Sequence, residues 1–137
     1  MIIGIGTDLC DIRRIEKTLA RFPDRFVKRV YTRREREKAE RRPNPAYSYA
    51  QAYAAKEALA KALGTGFRQG VFWRDIALEN LKSGQPTLSL HNGARARLDT
   101  LVPPGMDARI DVSLTDEYPL AHAMVVISAI PSVGPSR

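Results

Sequence analysis

The chain has 137 residues, the size of one ordinary domain, with 44% hydrophobic and 27% charged residues; a disordered chain is disfavoured and a sizeable core is affordable. No apolar run reaches the roughly 18 residues of a membrane span. The opening Met1-Ile2-Ile3-Gly4-Ile5-Gly6-Thr7-Asp8 lacks a basic leader, so no secretory signal and a cytoplasmic location are expected. The single cysteine, Cys10, excludes an internal disulfide and a multi-thiolate metal site.

Residues 2–8 alternate about glycines: Ile3, Ile5 and Thr7 point one way, Gly4, Gly6 and Asp8 the other. This predicts a strand with one thin face, open to close approach, on which Asp8 is the only functional group. From Asp11 the period changes to that of a helix, with Ile12, Ile15 and Leu19 as its apolar stripe and Arg14, Lys17 and Arg21 beside it. Pro23 breaks the pattern. Phe22, Phe26 and Val30 mark a second helical stripe, flanked by Arg25, Lys28 and Arg29. Thr32-Arg33-Arg34-Glu35 has the form of a capping box and predicts a third helix that stops before Pro43.

Residues 46–63 are alanine-rich, free of Gly and Pro, and closed by Gly64, which predicts a long helix. Ala50, Ala54, Glu57 and Lys61 share one of its faces, and the small side chains allow close packing there. Beyond it the chain reads as a strand over 75–82, a turn at Ser83-Gly84-Gln85-Pro86, and a strand over 87–90. A helix over 92–101 and strands over 108–115 and 120–130 follow. The order predicts an α+β fold: an antiparallel sheet packed with a long central helix and N-terminal basic helices. A single domain over 1–130 with a loose tail over 131–137 is expected.

The net charge is +7, but residues 13–42 alone carry +8, from 13 basic and five acidic side chains. This localised block predicts an anionic partner: nucleic acid, an acidic protein or a phosphorylated small molecule. A solvated helix face is the alternative. No nucleic-acid-binding motif accompanies the block and aromatic residues are only 7%, which weighs against nucleic acid. An acidic-protein adaptor without catalysis is a further alternative, and it has no use for Asp8, Glu57 and Lys61.

If the two thin faces meet, Asp8 and Glu57 converge with Lys61 one turn away. Two carboxylates plus substrate phosphate oxygens suit Mg²⁺, with Lys61 and the Gly64-Thr65-Gly66 backbone left to offset phosphate charge. Structural alternatives stand beside this reading: Asp8 as a helix cap, Glu57–Lys61 as an ordinary i, i+4 pair, and Gly64 as a helix stop. Cys10, Trp73, His91 and His122 read as packing or surface residues.

The same residues carry a family likeness. Ile3-Gly4-Ile5-Gly6-Thr7-Asp8-Leu9 with Arg14-Ile15-Glu16, the run from Tyr53-Ala54-Ala55-Lys56-Glu57 through Lys61 to Gly64-Thr65-Gly66, and Asp111 to Asp116 followed by Ala123 to Ile127 occur in order. Together they resemble the motifs of the short bacterial 4′-phosphopantetheinyl transferases, the holo-[acyl-carrier-protein] synthases. The resemblance implies that the 4′-phosphopantetheine arm of coenzyme A moves to a serine of apo-acyl carrier protein, leaving 3′,5′-ADP, in support of fatty acid biosynthesis. It implies Mg²⁺ on Asp8 and Glu57, with Asp8, Glu57 and Lys61 as the catalytic set. It implies coenzyme A contacts by Lys56, Lys61, Gly64, Thr65, Gly66 and Thr115. The acidic carrier gives the basic block a purpose, with Arg14, Arg21, Arg25, Lys28 and Arg29 as docking residues and Phe26 as an apolar anchor. The serine proton goes either to Glu57 or to a cation-bound water held by a carboxylate. A homotrimer is implied as well, and neither nucleic acid nor membrane is expected as a partner.

Overall fold

The computed structural model describes residues 1–133. Its elements are β1 (Ile2–Asp11), α1 (Ile12–Arg21), α2 (Pro23–Val30), α3 (Arg33–Glu40), α4 (Pro45–Ala62), a 3-10 turn (Trp73–Asp75), β2 (Ile76–Asn80), β3 (Pro86–Leu90), α5 (Asn92–Leu101), β4 (Met106–Glu117) and β5 (Leu120–Pro131). The α+β expectation is met. β1, β5 and β4 form an antiparallel sheet in that order, and β2 and β3 form a separate hairpin.

Local chemistry sets the boundaries. Asp11 caps α1 by accepting from the Arg13 amide at 2.9 Å, Pro23 opens α2, and Thr32 and Glu35 exchange both bonds of a capping box at the start of α3. The cap of α1 is therefore Asp11, which leaves Asp8 free of that task. Asn44 caps α4 and Pro45 takes its first position.

Helix α4 is apolar nearly all round, and most of its length is buried. It lies against β1 and β5. From the sheet it meets Ala121, Ala123, Val125, Ile127 and Ala129, all fully buried, while the alternate residues of β5 face the other way. β1 approaches closely because Gly4 and Gly6 offer no side chain: a methyl group at Gly4 would overlap the Ala62 carbonyl oxygen, and one at Gly6 that of Ala58. The thin faces thus meet as expected, and opposite the two glycines the helix side of the contact is Ala58 and Ala62.

Residues 131 and 132, expected in the loose tail, are held in place. Pro131 still pairs with Met106, and the Ser132 amide donates to the Gly105 carbonyl at 3.0 Å. Residues 134–137 lie outside the described residues. No helix among the described residues is long and apolar enough to cross a membrane.

Candidate active site

Asp8 lies on β1, the edge strand of the sheet, on the face that carries α4. There the Lys61 ammonium, from the last turn of α4, stands 3.1 Å from its carboxylate and donates to the Thr7 carbonyl at 3.0 Å. Glu57 is one helical turn earlier. Burial pushes its carboxyl pKa up, and the neighbouring Asp8 charge pushes it further in the same direction; Lys61, Tyr53 and Arg14 pull it back. The three residues expected to converge do converge.

The donor set fits a hard divalent cation that shares its shell with substrate. Among the described residues no cluster of three or more His, Cys, Asp and Glu side chains could hold a metal alone. Two carboxylates that repel each other, one partly desolvated, gain from a cation between them. Phosphate oxygens and water complete such a shell. Arg14, exposed on α1, is close enough to Glu57 to lower its pKa, so the basic block reaches the site at that residue.

Other expected residues are placed differently. Lys56 does not face a coenzyme A pocket. It is 0% exposed, its ammonium lies 2.6 Å from the Glu35 carboxylate, and it donates to the carbonyls of Val30 at 2.8 Å and Trp73 at 3.2 Å. Successive residues of a helix point about 100° apart, so Glu57 at the site puts Lys56 in the core. Gly64 takes a φ of 80°, and its amide donates to the Lys61 carbonyl; the Gly66 amide donates to that of Ala60. Those two N–H groups close α4 and are not free for phosphate. The Thr65 N–H makes no such bond among the described residues.

Thr115 sits on β4, at the opposite edge of the sheet from Asp8, in the row Leu9–His122–Thr115. Alternation turns that row to the face away from α4. Thr115 and Asp8 therefore do not share a site within one chain.

Of the expected docking residues, Arg14, Arg21, Arg25, Lys28 and Arg29 are exposed on α1 and α2. Phe26 is half-buried, edge-on to Tyr31 at 5.6 Å and tilted against Tyr53 at 6.3 Å, whereas Phe22 is the ring left 43% exposed. Cys10, buried in the core, has its thiol pushed up to about 11, chiefly by burial and then by Asp8, which makes it inert. A cleft of about 780 Å³ was not foreseen. Arg29, Arg33, Arg36 and Arg74 line it over Trp73 and Phe67, which stack at 3.7 Å. No sequence spacing announces it, since its walls come from α2, α3 and the loop after α4.

Comparison with known proteins supplies the context. The family model described as the 4′-phosphopantetheinyl transferase superfamily matches residues 4–121. A curated protein of Methylorubrum populi, holo-[acyl-carrier-protein] synthase, is 62% identical over 136 residues, covering 99% of this chain and 100% of its own. The crystal structure of holo-[acyl-carrier-protein] synthase from Neisseria meningitidis superposes with a TM-score of 0.82 at 33% identity, over 93% of this chain and 99% of that one. A holo-(acyl-carrier-protein) synthase from Bacillus anthracis, solved in complex with CoA (3′,5′-ADP), gives 0.72 at 32% identity, over 93% and 96%.

Proposed function

The chain belongs to the 4′-phosphopantetheinyl transferase superfamily, and from that premise we propose that it is a holo-[acyl-carrier-protein] synthase. It moves the 4′-phosphopantetheine arm of coenzyme A onto a serine of apo-acyl carrier protein and releases 3′,5′-ADP, serving fatty acid biosynthesis in the cytoplasm. The observation that carries the reading is the convergence of Asp8, Glu57 and Lys61 from β1 and α4 at one edge of the sheet.

Asp8 and Glu57 would hold Mg²⁺ together with the pyrophosphate of coenzyme A. Bound there, the cation offsets charge on the phosphates and the leaving group. Lys61 is held against Asp8 and can turn its ammonium to a phosphate oxygen once Asp8 has another cation to face. The Thr65 N–H is the loop donor available to the same phosphates. Glu57, with its carboxyl pKa raised by burial, is the better placed of the two acids to take the serine proton as the hydroxyl attacks the β-phosphate. The exposed arginines and lysine of α1 and α2 receive the acidic carrier.

The position of Thr115 extends the reading to a homotrimer. The sheet face away from α4 exposes Ile5 and Leu9 at 59% each and Met124 at 41%, an apolar surface suited to a second copy of the chain. Packing between copies would bring Thr115 of one toward the coenzyme A site of the next.

The test is intact mass of an apo-acyl carrier protein incubated with this protein, coenzyme A and Mg²⁺. A gain of one phosphopantetheine mass is expected, and it is absent with EDTA and with Asp8→Ala. A folded protein that modifies none of several carriers overturns the reading.

A further inference from the structure

The Lys56–Glu35 pair lies outside the transfer chemistry, yet among the described residues it is the most completely bonded charged pair. Two ions removed from water are costly, and an apolar pair of the same volume would often serve stability as well or better. What such a pair adds lies in the directed bonds it makes. Lys56 spends its three donors on Glu35, on the Val30 carbonyl and on the Trp73 carbonyl. Glu35 in turn accepts from the Thr32 amide at 2.9 Å and from the Leu78 amide at 2.7 Å. One side chain of α4 thereby ties together the end of α2, the start of α3, the Trp73 turn and β2.

Val30 is the last residue of α2, so the ammonium sits at the negative end of that helix, on a carbonyl with no partner inside it. α2 leans on α1 and on the Trp73 turn, and its ring contact with α4 is Phe26 against Tyr53. The next residue along α4 from Lys56 is Glu57. The helix that presents Arg25, Lys28 and Arg29 is thus pinned, through one buried ammonium, to the residue preceding the site's own carboxylate.

We propose that Lys56 and Glu35 are positioning residues that hold the basic face of α2 in place against α4, and so set how tightly the carrier docks. This inference rests on the docking role given to α2 above. It makes the carrier, and not coenzyme A, the substrate that feels the pair.

The experiment replaces the pair with apolar side chains, Glu35→Met/Lys56→Met, in the full chain. Thermal melting reports folding, and steady-state kinetics are measured with each substrate varied. A folded variant is expected to raise KM for apo-carrier by about tenfold or more, while kcat and KM for coenzyme A stay within about twofold. Hydrogen exchange of the α2 amides should quicken in the same variant. An unchanged carrier KM overturns the proposal. So does an equal loss toward both substrates, which would mark the pair as serving the fold alone. Should the double replacement not fold, Lys56→Gln, which shortens the donor, is read by the same criteria. Arg25→Ala/Lys28→Ala separates the two claims. If it leaves carrier KM unchanged, the docking role fails and the inference with it; if it raises carrier KM where the apolar pair does not, only the inference fails.

Discussion

In the proposed role Glu57 is under opposed demands. To bind a cation or take a proton it must be ionised, yet burial and the charge on Asp8 both resist ionisation, and Lys61 and Arg14 only partly offset them. Its carboxyl pKa in the folded chain therefore lies above its unfolded value. Such a group favours the folded state below the unfolded pKa, and that benefit is lost as pH rises through the folded pKa. In metal-free protein Glu57→Gln removes an acid that ionises at a disadvantage. The variant should melt above the parent at neutral pH, and the gain should shrink to nothing as pH falls toward about 4. Transfer activity should fall by about 10³-fold in the same variant. Melting temperatures of both proteins between acid and neutral pH check the first claim, and the carrier mass assay checks the second. A parent more stable than the variant at neutral pH in the absence of metal would remove the electrostatic account of Glu57.

The meeting of β1 and α4 is what assembles the site, and it depends on two missing side chains. Gly6→Ala would drive a methyl into the Ala58 carbonyl, which belongs to helix backbone and cannot swing aside. Overpacking of this kind costs about 1–3 kcal/mol. Here it also pushes Asp8 away from Lys61. Gly6→Ala is expected to lower the melting temperature and to lose more activity than the stability loss explains; a stable, fully active variant would contradict it. Much of this was legible in sequence, because alternation in β1, the helical periods of α1 and α2, the capping box of Thr32 and the alanine run of α4 are local signals. What was not legible depends on how finished elements dock. The sequence shows Lys56 and Glu57 as neighbours, but only the packing of α4 against α2 and α3 turns one into the core and the other toward Asp8. The Gly64 and Gly66 amides look free in sequence and are spent on helix carbonyls. Thr115 stands in a motif with the right spacing, yet strand alternation sends it to the far face.

At the scale of the whole molecule, the two faces of the sheet are unequal. One is sealed by α4; the other presents Ile5, Leu9 and Met124 to solvent, with Thr115 in the row of Leu9 and His122. A lone chain gains nothing from these exposed side chains, and apolar surface of this kind favours association of copies. In the proposed trimer the same packing would bring Thr115 to the site of the next copy, because Thr115 cannot reach the Asp8 site of its own chain. Leu9→Asp tests both halves of this argument at once. Leu9 is 59% exposed in the single chain, so the substitution should leave the fold of each chain intact, while loss of the contacts between copies lowers the melting temperature. Across an interface between copies, the same carboxylate would be buried without a partner and should break the assembly. Light scattering should then show the parent at the mass of three chains and Leu9→Asp at the mass of one, with the variant weakened toward coenzyme A. A parent that scatters as a single chain and is fully active would remove the trimer and, with it, any part for Thr115 at the site.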